Sequence, residues 1–109
     1  MIRDTVDDED QVDVVVPFNM LVTGWTLVAD QSGSIELDLW SDSYANYPPT
    51  DTDSIVGANP PELSSQSKNQ ATGLSWALTK GHILRAIVVE GTVVDVTRVT
   101  LALTGVRTL

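Results

Sequence analysis

Few side chains in this sequence are equipped for chemistry. His82 is the single histidine of the chain. Beside a hydroxyl nucleophile and an orienting carboxylate, it would serve as a general base. It follows Gly81 at the start of an apolar run, however, and no Gly-x-Ser-x-Gly elbow occurs anywhere in the chain. A histidine at a turn or strand end is the plainer reading. Glu36 and Asp38 are the obvious carboxylate pair. A glycosidase needs two carboxyl groups held in opposed environments, whereas a two-residue spacing on one strand is what any solvated face produces.

Calcium is the better metal hypothesis. Asp51, Asp53 and Glu62 stand at positions one, three and twelve of a would-be calcium loop, but Ile55 holds position five and Val56 stands where glycine is needed. The regular loop fails there; an irregular calcium site among the loop carboxylates stays open. The glycines show neither a dinucleotide fingerprint nor a phosphate loop. With no cysteines there is no disulfide framework and no thiolate chemistry. The expectation is a non-enzyme with no cofactor.

The aromatic residues are the more informative group. The stretch "DLWSDSYANYPPTDTDSIVGANPPELSS" places Trp40, Tyr44 and Tyr47 just before the pair Pro48 and Pro49. Tryptophan and tyrosine offer a flat apolar face with a polar handle, which suits sugars and protein surfaces alike. Three roles stay open for Trp40, Tyr44, Tyr47, Pro48 and Pro49: a cap on one end of the core, a subunit interface, or a ligand surface.

These residues need a scaffold, and the alternation around them is that of β-structure. In "DVVVPFN", Val14, Val16 and Phe18 share one side, and Pro17 marks an edge or a strand end. Trp25, Leu27 and Ala29 alternate with Thr26 and Val28; Ile35, Leu37 and Leu39 alternate with Ser34, Glu36 and Asp38. The cluster Asp30-Gln31-Ser32-Gly33 between them predicts a hairpin turn. Trp40 falls on the Glu36–Asp38 face, away from the main core. Residues 41–72 have little periodicity and predict an ordered, proline-rich crossover, with a helical turn at "TDTDSIVG" and a short strand opening near Leu63. "TGLSWAL", "KGHILRAIVVEG" and "DVTRVTLALTG" complete the strands. The run 83–89 is apolar on both faces apart from Arg85, so its second face needs a cover from a loop or another subunit.

Seven to eight strands and no convincing helix predict an all-β fold, an antiparallel β-sandwich. A jelly-roll-like arrangement comes first and an immunoglobulin-like one second. At 109 residues this is one domain: an acidic N-terminal arm at 1–11, then a single sandwich at 12–109. The arm, with Asp7, Asp8, Glu9 and Asp10 in series, is either a solvated tail or a docking arm for a basic surface on a partner. The net charge of −9 argues against nucleic acid and against anionic membranes as partners. No stretch approaches a membrane span, and the acidic N-terminus is unlike a secretory signal.

From Gly24 onward the chain resembles a β-sandwich module of tailed-bacteriophage structural proteins. The resemblance is carried by "GWTLVADQSGSIELDLWSDSYANYPPTDTDSI", "NPPELSSQSKNQATGLSWALTKGHILRAIV" and "VTRVTLALTG". It implies a virion location and a homotrimer, and it transfers no catalytic residues. Two features depart from the module's usual form. "VVEGTVVD" is longer than expected between the last two strands, and the chain is almost nothing but the module. A chain without heptads or Gly-x-y repeats fits a capsid decoration (cement) protein on the exterior of the head better than a fibre. Its partner would be the major capsid protein. The alternative is a receptor- or glycan-binding module at a tail-fibre or spike tip, where the aromatic residues would stack on sugar rings.

Overall fold

The computed structural model describes residues 10–108 of the chain. Asp7, Asp8 and Glu9 lie outside the described residues. Six strands form: β1 (Gln11–Val15), β2 (Met20–Asp42), β3 (Glu62–Ala71), β4 (Trp76–Leu78), β5 (Ile83–Val88) and β6 (Val99–Arg107). All their pairings are antiparallel. The fold is therefore all-β, with six strands among the described residues where seven or eight were expected. The only helical pieces there are two 3-10 turns, Tyr44–Asn46 and Asp51–Asp53. The second falls within the segment where a helical turn was predicted.

The largest correction concerns the hairpin. No reversal occurs at Asp30–Gly33; β2 runs straight through for 23 residues. Its first part pairs with β6 on one side and with β4 and then β3 on the other, while its last six residues pair with β5. The would-be turn residues have different duties. The Asp30 carboxylate accepts hydrogen bonds from the backbone N–H groups of Thr97 and Arg98, each at 3.0 Å, and from the Thr97 hydroxyl. Gly33 lets a neighbouring backbone come close: a Cβ there would collide with the Val94 carbonyl, and Ser34 and Val94 exchange backbone hydrogen bonds at 2.8 and 2.9 Å. Glycine inside a strand commonly marks such an approach. The pairing of β2 with β3 slips register on both sides of Gly33, so irregularity replaces the turn.

Alternation still sorts the side chains. Trp25 and Leu27, then Ile35, Leu37 and Leu39, are buried. Val22 is buried too, out of phase with Trp25, because a register shift lies between Val22 and Gly24 where β2 pairs with β6. Leu63, Trp76, Leu78, Leu84, Val88, Val96 and Val99 complete most of the core. β3 corrects a second expectation: it is a ten-residue strand inside a stretch read as largely aperiodic. The crossover is accordingly shorter, ending at Pro61. Asp10 and Gln11, read as the end of the arm, lie against the sheet; the Asp10 carbonyl accepts the Val88 N–H at 2.8 Å, and Gln11 opens β1 opposite Ile87.

Candidate functional site

Three adjacent strands align Asp13, Arg85 and Trp40 in one row, for Asp13 of β1 pairs with Arg85 of β5 and Arg85 pairs with Trp40 of β2. Residues that share a row share a face, and this is the side opposite the buried Leu84 and Leu39. Arg85 is 9% exposed, which makes it the one charged residue in the core of the described chain. A buried guanidinium is tolerated only when it is paired and hydrogen-bonded. Asp13 meets that need in fork geometry: Nε reaches one carboxylate oxygen at 2.7 Å and Nη2 the other at 2.9 Å. The Arg85 hydrogen bond, more than any other contact, holds the Asp13 carboxyl below the ordinary aspartate range; the Tyr47 hydroxyl adds to this.

Tyr47 closes the group from above. Its hydroxyl donates to Asp13 at 2.8 Å and accepts from Arg85 at 3.2 Å, while the guanidinium carbon lies 5.7 Å from the ring centroid. The loop that carries Tyr47 is thus pinned onto the sheet by its own aromatic ring. The Tyr47–Pro48 peptide bond is cis. Further along, Pro49 is fully buried, Ile55 donates its N–H to the Leu39 carbonyl at 2.9 Å, and the Ser54 hydroxyl donates to Asp38 at 2.6 Å. The loop therefore covers the second face of residues 83–89 at Arg85, and leaves Ile87 at the border of a groove.

The structure separates the aromatic residues by role. Trp40 is half-buried, and its Nε1–H is enclosed without an acceptor among the described residues. Tyr47 is 50% exposed although its hydroxyl is engaged. Tyr44, in the first 3-10 turn, is 79% exposed and makes no ring contact of this kind. Pro48 is exposed, in contrast to Pro49. Beside Trp40 lies a groove of about 610 Å³ bordered by Asp38, Pro49, Asp51, Ile87 and Glu90. It joins an aromatic ring to three carboxylates.

The remaining candidates for chemistry sit apart. His82 occupies the turn into β5, where its carbonyl accepts the Val16 N–H at 2.9 Å. Glu36 and Asp38 share the outer side of β2, with Asp38 committed to Ser54 and to the Leu39 N–H. Asp53 accepts the Thr50 N–H at 2.9 Å, which caps its own 3-10 turn, and Glu62 opens β3. Among the described residues no three His, Cys, Asp or Glu side chains are grouped so as to hold a metal ion.

Sequence reasoning noted Arg85 only as the exception in an apolar run and passed over Asp13, yet the signal was present: each is a lone charge within a run of valines, isoleucines and leucines. A charge in such a run requires a partner, and each is the other's. Comparison with family models, with curated proteins and with solved structures finds no match to this chain.

Proposed function

We propose that this protein is a bacteriophage virion structural protein, a capsid decoration protein. In this reading its strands form a jelly-roll-like sandwich, and three copies bind the exterior of the assembled head through the major capsid protein. It acts by adhesion and not by turnover, and neither nucleic acid nor membrane is a partner. The observation that carries the reading is the pinned loop. Tyr44 and Tyr47 stand out from a base fixed by Asp13, Arg85 and Pro49, so a large aromatic surface meets a partner with little ordering cost. The sequence resemblance supplies the setting. A ligand that binds only the assembled shell stabilises it by mass action.

The test is to mix the purified chain with undecorated shells and, separately, with unassembled capsid subunits. Co-sedimentation with shells alone, together with a higher shell melting temperature, is expected. Purified virions should also show a band near 11.8 kDa in molar amounts comparable to the capsid protein. Equal binding to free subunits, or a band that follows tails only, would overturn the assignment.

A second reading is favoured by the groove beside Trp40. An aromatic ring flanked by Asp38, Asp51 and Glu90 is the equipment of a sugar-binding module at a fibre or spike tip, with ring stacking and carboxylates that accept hydroxyl protons. Quenching or shift of tryptophan fluorescence on titration with host-surface oligosaccharides, abolished by Trp40→Ala, would select it.

A further inference from the structure

An apolar cleft of about 150 Å³ has β1, β5 and the end of β2 on one wall and β6 on the other. Leu37 and Leu39 form its floor and are fully buried. Its lips are open. Val14 is 52% exposed and its neighbour Val15 63%, while Leu101 and Leu103 are half-buried.

Both lips are sheet edges. Among the described residues β1 pairs only with β5, and β6 only with β2. Each therefore carries a row of backbone N–H and C=O groups that no neighbouring strand meets, beside an apolar mouth. β6 does so over nine residues, VTLALTGVR, with no proline and no charge before Arg107. Folded domains normally blunt such an edge with charge, proline or a cover.

Charge indicates the occupant. At a net −9, two copies of this chain repel each other across most approaches. Residues 96–109 are an exception, with Arg98 and Arg107 and no acidic side chain. Arg107 lies 5.1 Å over the Phe18 ring, which leaves its charge intact. The chain entering β1 is the opposite: Asp4, Asp7, Asp8, Glu9 and Asp10 precede it. The β1 lip of one copy thus complements the β6 lip of another, and neither complements itself.

We infer that the cleft is the self-association surface. Copies gather round a common axis with their clefts inward, and β1 of each extends the β6 edge of the next. Main-chain hydrogen bonds join the edges, and Val14 is covered against the neighbour's Leu101 and Leu103. A head-to-tail contact of this kind makes a ring when the rotation between copies closes and a filament when it does not. In the proposed assembly the rotation closes. That the ring has three members rests on the function proposed above; the contact itself does not.

Sedimentation of the full chain in physiological salt, without shells, tests it. The wild type should associate. Val14→Lys, at a position already exposed in the monomer, should weaken association roughly tenfold or more and leave the circular dichroism unchanged. Val28→Lys, also at an exposed position but on a surface shared with Lys68 and Gln70, should not. Because the chain has no cysteine, Val14→Cys and Leu103→Cys variants can be mixed; cross-links between the two should form faster than within either alone. A wild type that stays monomeric at tens of micromolar (roughly the range for weak specific contacts), a Val14→Lys variant that still associates, or faster cross-linking within one variant would overturn the inference. If the ring forms but shells are not bound, the functional reading fails and the cleft stands. If a monomer binds shells, the cleft inference fails and the functional reading loses only its trimer.

Discussion

The two faces of β5 are finished in opposite ways. On one, Arg85 meets a loop from the same chain, held by directional polar contacts between Asp13, Arg85 and Tyr47. Leu84 and Ala86 face a cleft whose lips carry no polar fastening. The contrast teaches how the chain divides its contacts. Hydrogen bonds fix the loop in one orientation, whereas apolar lips gain from any complementary surface that excludes water. A fastened face presents shape; an open mouth invites partners.

The fastened face is where substitution should hurt most. Arg85→Ala removes both guanidinium hydrogen bonds to the Asp13 carboxylate, which keeps only the Tyr47 hydroxyl, and removes the donor that the Tyr47 hydroxyl accepts from. Breaking a buried pair costs about 3–5 kcal/mol, and the exposure of Asp13 reduces this toward about 2 kcal/mol; urea melts would show it. Trp40→Ala removes a half-buried ring beside the groove and should cost roughly 2 kcal/mol, below the about 3–5 kcal/mol of a fully buried aromatic. If the ring also meets the shell, capsid binding falls by more than the loss of stability explains. Tyr47→Phe deletes only the hydroxyl and should cost about 1 kcal/mol, with faster proteolysis of the loop as its clearest sign.

Acid should probe the same fastening. Asp13 has a folded-state pKa below the ordinary 3.8, and Asp30 is drawn down to about 2 by the Thr97 hydroxyl and by the N–H groups of Thr97 and Arg98. A depressed carboxyl stabilises the fold fully above its unfolded pKa, and that contribution is lost as pH falls through the folded value. Stability should therefore decline as pH drops from about 3.8 toward 2. Asp30→Asn should flatten part of that slope, and Arg85→Ala the part that belongs to Asp13. At the open mouth the expected effect on the monomer is smallest. Val14→Lys should change its stability by less than about 0.5 kcal/mol, even where association is lost.

Much of this layout was legible in the residues. The alternation of Ile35, Leu37 and Leu39 gave strand structure and its inward side, and "DVTRVTLALTG" gave the last strand. The apolar run at 83–89 announced a face in need of cover. Legibility ended where one residue type serves two purposes. Asp30 and Gly33 are what a turn requires, and they are equally what a cap on a neighbouring loop and a close backbone approach require. Periodicity cannot tell a chain that reverses from one that continues. β3 was hidden for another reason: "ELSSQSKNQA" is exposed or half-buried along most of its length apart from Leu63, so its strand character comes from pairing with β2 and not from its own pattern. For the aromatic group, the sequence grouped Trp40, Tyr44 and Tyr47 but not their unequal fates, which depend on where a loop comes down.

One feature of the architecture governs how the molecule comes apart. β2 is a single unbroken strand that belongs to every pairing except that of β1 with β5. Loss of β2 would remove every pairing but one among the described strands, whereas β1 can detach and leave β2 with all its partners. Amides along β2 should then exchange with deuterium only through complete unfolding, and heat should give one calorimetric transition even when damage is confined to a single end.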